Sequence, residues 1–165
     1  MLPNQRRNSW KRSLKMSREI ELFVDHPSLN YKEEAVIETI LLAIETIGDA
    51  FPKGDLSVAL LSDRKVAELH GEFLDDPSET DVITFPGDEE MEFAGEICVS
   101  VDRATEVCAE HQTTISEEIT LYIVHGLLHL AGYKDKTEPQ VIEMREGERK
   151  VMQELKAQGK IPNFS

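Results

Sequence analysis

The order in which its periodicities run is what most limits this chain. Four short runs carry strand character. Glu19–Asp25 alternates polar and apolar residues, Leu56–Leu61 is a short apolar run, and Thr80–Phe85 is rich in β-formers up to Pro86-Gly87. Ala94–Val101 is the fourth. Helical spacing separates or follows them. Between Lys32 and Ile47 the apolar positions Ala35, Val36, Ile40, Leu41, Ala43, Ile44 and Ile47 fall on one helix face, which Gly48 closes. Ser62 or Asp63 can cap a second helix over about Arg64–Phe73, before a turn at Asp75–Ser78. Asp88–Glu92 reads as an acidic loop. The last third is helical: Asp102–Glu110, then a helix from Thr114 past His129 with Thr114 and Glu117 in capping-box spacing, stopped by Gly132. A final helix over Glu138–Lys156 has Val141, Met144, Val151, Met152 and Leu155 on its apolar side. Strands early and helices late predict an α+β, or mixed α/β, single domain.

A chain of 165 residues can bury a sizeable core without disulfides or a structural metal. Hydrophobic residues make up 40%, which excludes a disordered acidic polymer. Cys98 and Cys108 match neither a zinc-ligand spacing nor a redox pair, and read as reduced thiols of a cytosolic protein. No stretch is long and apolar enough to span a membrane. Residues 1–18 carry Arg6, Arg7, Lys11, Arg12, Lys15 and Arg18 and no acid. They lack the apolar core and cleavage site of a secretory signal and read as a basic, flexible arm. Against a total of −14 the arm contributes +6, so the other 147 residues carry −20. A body that acidic repels phosphate backbones, so an RNA ligand requires the arm or a locally positive cleft. The organisation expected is an arm over 1–18, one domain over 19–158 and a C-terminal tail over 159–165.

The chemistry concentrates in Val124–Asp135. His125 and His129 lie four apart, one turn apart on the same helix face, where two imidazoles can share a metal ion. Gly132 can reverse the chain and return Asp135 toward that ion, giving H-x3-H-x2-G-x2-D, a metzincin-like turn. Zinc accepts two histidines and a carboxylate and keeps a fourth position for water. Zinc proteases place a glutamate base directly after the first histidine; here that position is Gly126. A base must come from elsewhere, with Glu96, Asp81 and Lys134 as conceivable helpers. His111 reads as a loop residue, His70 as a helix-surface residue, and His26 as a loop residue with no evident partner. The ring of Tyr133 can hydrogen-bond near the site or pack against the helix end.

At these residues the chain resembles the YbeY family, bacterial metal-dependent endoribonucleases involved in ribosomal RNA maturation. The signature H-G-x-L-H-L-x-G-Y runs unbroken from His125 to Tyr133. Thr80-Asp81-Val82-Ile83-Thr84-Phe85-Pro86 is similar to the family's T-D-V-L-S-F-P, and Gly95-Glu96-Ile97 to its G-D-I. The resemblance covers about Leu56–Asp135 and extends to the leading strand and helix. It implies a small mixed sheet covered by helices, with a metal cleft at the end of the signature helix. It also implies small-subunit rRNA 3′-end processing, ribosome quality control and a cytoplasmic location. Two departures stand out. Asp135 occupies the place of the family's usual third histidine, and Leu74 that of an arginine before the T-D-V segment. Lys134 is the candidate to replace the lost positive charge.

The expectation is therefore a single-strand-specific endoribonuclease acting through metal-activated water, with one ion, Zn2+ or another divalent metal, on His125, His129 and Asp135. Its partners are ribosomal RNA and the small subunit, with basic ribosomal proteins as further candidates; neither a membrane nor a nucleotide cofactor is expected. The alternative is a ribosome assembly factor whose metal is structural. A metalloprotease is disfavoured by Gly126.

Overall fold

The computed structural model describes residues 18–74 and 81–165, with the side chains of 70–74 left out. Four strands, β1 (Ile20–Asp25), β2 (Asp55–Leu61), β3 (Val82–Asp88) and β4 (Phe93–Ser100), form one sheet in the order β1-β2-β4-β3. β1, β2 and β4 run parallel; β3 pairs antiparallel with β4. The helices are α1 (Glu33–Ile47), α2 (Asp63–Leu74), α3 (Val101–Glu110), α4 (Ile115–Leu130) and α5 (Glu138–Ala157). The mixed α+β domain expected from the sequence is the fold.

Burial follows from strand position. β2, flanked on both sides, has Leu56, Val58, Leu60 and Leu61 all buried, as a parallel strand covered on both faces requires. One face receives α1 and α4, with α5 packed against both helices, and holds the main core, with Ile40, Leu60, Ile97, Ile123, Leu127 and Leu155 among its fully buried side chains. The other face carries a smaller cluster of Ala59, Leu61, Val66, Ile83 and Cys98 under α2. Alternation along β4 therefore sends Ile97 and Val99 toward α4, and Glu96 and Cys98 the opposite way.

Several boundaries differ from expectation. β3 continues through Pro86-Gly87 to Asp88, with Pro86 opposite Gly95. Among the described strands β3 pairs only with β4, and on such an edge a proline's missing N–H costs nothing. The acidic segment after it is a 3-10 turn over Glu89–Met91, not an open loop. Val141, expected on the apolar side of α5, is 36% exposed, because it lies in the first turn before the helix meets the core at Met144.

The ends of the domain are anchored. Residues 1–17 of the basic arm lie outside the described residues, but Arg18 is buried, donates from Nη1 to the Gly54 carbonyl at 2.8 Å and stacks over Phe51. Residues 159–165, expected as a tail, pack back onto the domain. Phe164 is buried, Ser165 exchanges backbone hydrogen bonds with Asn30, and Phe164 exchanges two with the Ser116 side chain. No helix among the described residues is long and apolar enough to cross a membrane.

Candidate metal centre

α4 is the helix that builds the site. Thr114 and Glu117 form the expected capping box at its start. At its end Gly132 takes φ 104°, with Gly132 N–H bonded to the His129 carbonyl and Tyr133 N–H to the Leu128 carbonyl. That pair of bonds is a Schellman stop, which an L side chain at the glycine would strain. Between these ends α4 lies flat on β4. A Cβ on Gly126 would sit 2.6 Å from Ile97 Cγ2, so glycine is what lets helix and strand approach this closely. With position 126 pressed on the sheet, His125 and His129 face an open cleft of about 380 Å³.

Within that cleft three atoms converge. His125 Nε2 and His129 Nε2 are 3.0 Å apart, and Asp135 Oδ2 lies 3.4 Å from the first and 3.3 Å from the second. The protonation of the rings follows from their other nitrogens. His129 Nδ1 is 3.0 Å from the Tyr133 carbonyl, which can only accept, so Nδ1 carries the proton. His125 Nδ1 is 2.6 Å from Glu148 Oε2, and a carboxylate likewise accepts. Both Nε2 atoms are then bare lone pairs, aimed at each other and at a carboxylate oxygen. Such an arrangement is repulsive until a cation sits at its centre. The spacing suits zinc: donors at 2.0–2.1 Å in a tetrahedron stand about 3.3–3.4 Å apart. His125, His129 and Asp135 could therefore hold a metal ion between them.

The wider lining matches that charge. Asp81, Asp135 and Glu148 supply three carboxylates; Arg145 pairs with Glu148 and Arg103, outside the lining, with Asp81, which leaves the Asp135 carboxylate beside the two histidines for a cation. Glu148 is only 5% exposed. Burial alone would raise its pKa, but the hydrogen bonds from His125 and from Arg145 Nη1, the latter at 2.7 Å, outweigh burial and hold it below the usual carboxylate range. Glu148 thus stays ionised and fixes the His125 tautomer. Sequence reasoning missed both α5 residues. A signal existed: Glu148 falls in the apolar stripe Met144, Val151, Leu155, where a charge needs a buried partner.

The other candidates are placed apart. Glu96 is on the far face of the sheet from α4, accepting from Ser57 Oγ at 3.3 Å, and does not reach the cleft. It stands beside Cys98, whose thiol is pushed up to about 12, chiefly by burial and then by Glu96, and is inert. Lys134 is exposed and does not line the cleft. Asp81 does line it, with its carboxylate 3.3 Å from Arg103 Nε. The ring of Tyr133 packs on the core near Gly147, and only its carbonyl serves the site. His111 caps α3 and meets Glu118 at 3.0 Å, and His26 meets Asp102 at 2.9 Å, both away from the metal cluster. The His70 and Leu74 side chains and Thr80 lie outside the described residues.

The family model for Endoribonuclease YbeY matches residues 19–156. An Endoribonuclease YbeY of Protochlamydia amoebophila is 36% identical over 106 residues, 62% of this chain and 71% of that protein. The one of Parabacteroides distasonis is 33% identical over 123 residues, 74% of this chain and 80% of that protein. The solution structure of TM1509 from Thermotoga maritima shares the fold, with a TM-score of 0.56 and 23% identity over 84% of this chain and 93% of that one. With a family match that runs from the start of the sheet almost to the end of α5, this chain belongs to the YbeY endoribonuclease family.

Proposed function

We propose that this chain is a metal-dependent endoribonuclease that cuts single-stranded RNA in the cytoplasm. Its role is in 3′-end maturation of small-subunit ribosomal RNA and in ribosome quality control. The observation that carries the chemistry is the convergence of two bare imidazole nitrogens and one carboxylate oxygen within 3.4 Å. The family match supports RNA as the substrate. Zinc is the ion favoured by this nitrogen and oxygen donor set. A divalent ion held by His125, His129 and Asp135 would supply Lewis acidity for activating water and for offsetting charge on a phosphoryl group.

The chain's own residues do the rest. Glu148 and the Tyr133 carbonyl hold the two imidazoles in the tautomer that leaves Nε2 free. Asp135, 39% exposed, completes the donor set from the loop after Gly132, where the cleft is open to a strand. Position 126 faces Ile97, so the place where a zinc protease keeps its base is filled by the sheet. That argues for a phosphodiester over a peptide.

The test is cleavage of an end-labelled single-stranded RNA by wild type and His129→Ala, with metal content measured on both and on Asp135→Ala. One equivalent of metal and cleavage in wild type, both lost in His129→Ala, is the expected result. Equal cleavage by both proteins refutes the reading. The −20 body favours a second reading, a ribosome assembly factor that meets basic proteins and keeps its metal for structure. Metal bound without any cleavage would select it.

A further inference from the structure

A cleft that takes a phosphodiester strand needs a cation besides the metal, and this body is acidic. Among the described residues, Arg145 is the only Lys or Arg lining the cleft. It projects from α5 one turn before Glu148, with its side chain 66% exposed. A single Nη1 contact, 2.7 Å to Glu148 Oε1, holds it. The guanidinium has five N–H donors in a fixed fork, so one bond to Glu148 engages one of them and leaves the others for a ligand at the cleft wall that Arg145 lines. A role confined to neutralising Glu148 would need neither the fork nor the exposure.

We propose that Arg145 is the residue that binds a backbone phosphate of the RNA strand, next to the metal. Building on the nuclease reading, this adds the contact that holds the substrate. The contact reads no base, because it is made to phosphate oxygens through paired N–H donors. It also replaces Lys134 as the source of positive charge. Arg145 lies on a continuous path from phosphate through Glu148 to His125, so the strand and the metal share one anchor.

The test uses zinc-loaded full-length protein and a labelled single-stranded RNA, with affinity measured over a range of salt concentrations. Arg145→Gln is the main variant, since its amide can still donate to Glu148 while the charge is gone. Loss of one charge-assisted hydrogen bond predicts ~10-fold weaker RNA binding. Loss of one phosphate contact predicts a salt slope shallower by about 0.7. Arg145→Lys keeps the slope and part of the affinity. Lys150→Gln, the same charge change on an exposed part of α5 outside the cleft lining, leaves both unchanged. Zinc affinity by chelator competition stays within about twofold of wild type in Arg145→Gln, because the amide keeps the bond to Glu148 and Glu148 keeps its charge behind His125. Unchanged affinity and slope in Arg145→Gln overturn the proposal while His129-dependent cleavage leaves the nuclease reading standing. A parallel loss of zinc also overturns it, since the residue would then act through Glu148. Absence of RNA binding by wild type overturns both.

Discussion

Removing the Glu148 carboxylate should loosen the metal without touching a ligand. The side chain is 5% exposed and accepts on both oxygens, from His125 Nδ1 at 2.6 Å and Arg145 Nη1 at 2.7 Å. Glutamine has one acceptor where glutamate has two. Turned toward His125, its oxygen preserves the tautomer, and the amide NH2 then opposes Arg145, which is 66% exposed and can turn to water. Glu148→Gln therefore loses the charge behind His125 and keeps its orientation. Glu148→Ala loses both and frees His125 to place its proton on Nε2, where it competes with the metal. Partners of metal-ligating histidines typically account for 10- to 100-fold in affinity. The expectation is about 10-fold weaker zinc binding for the glutamine variant and nearer 100-fold for alanine, roughly 1.4 and 2.8 kcal/mol. Chelator competition on metal-stripped protein near pH 7 measures it, with circular dichroism confirming that each variant is folded. A folded Glu148→Ala that holds zinc as tightly as wild type refutes the coupling.

Two further expectations concern the scaffold. Gly126→Ala gains about 1 kcal/mol of helix propensity but places a methyl 2.6 Å from Cγ2 of the fully buried Ile97, an overpacking that costs about 1–3 kcal/mol. A net loss of ~1 kcal/mol in urea unfolding follows, and adding Ile97→Val should not restore it because valine keeps Cγ2; a stabilised Gly126→Ala would contradict the close packing. Asp102 should shape the acid limit of stability: burial would raise its pKa, but the Asp63 N–H and His26 outweigh burial and lower it. A carboxyl depressed in the folded state stabilises above its unfolded pKa and loses that contribution as pH falls through the folded value, so Asp102→Asn should flatten the fall in stability below about pH 4. An unchanged acid limb would exclude Asp102 as a contributor.

Legibility in the sequence tracked how local each instruction is. The capping box at Thr114, the Gly132 stop and the His125/His129 pair are written within one helix, and the structure keeps all three. Asp135 is close enough that one tight reversal places it. Glu148 is 23 residues from His125, and only the packing of α5 against α4 makes them neighbours. The charge in the apolar stripe of α5 marks a need for a partner but does not name it. Glu96 failed for the opposite reason. Its spacing within a strand is clear, but which face of the strand meets α4 is decided by the whole sheet, and one residue of parity sends Glu96 away while Ile97 meets Gly126. Pro86 misled because a strand-ending proline and an edge-strand proline look alike until the strand order is known.

The −20 body and an RNA substrate are compatible once distance is counted. Exposed charges more than roughly 8–10 Å apart are largely screened at physiological salt, so a phosphate in the cleft responds mainly to what lines it. Without a cation that lining holds three carboxylates, with Arg145 and Arg103 each already paired to one of them, and offers a strand no net positive charge. A divalent ion on the proposed site would more than offset the remaining Asp135 charge, and the charges nearest a phosphate would then be the ion and the guanidinium, both positive. On the proposed function, metal loading and RNA binding would be one linked equilibrium, in which the acidic lining attracts the ion and the ion lets the cleft accept the strand. The acidity at the site would then serve the metal-binding step, and the short reach of charge in salt would keep the remainder of the surface from opposing the second.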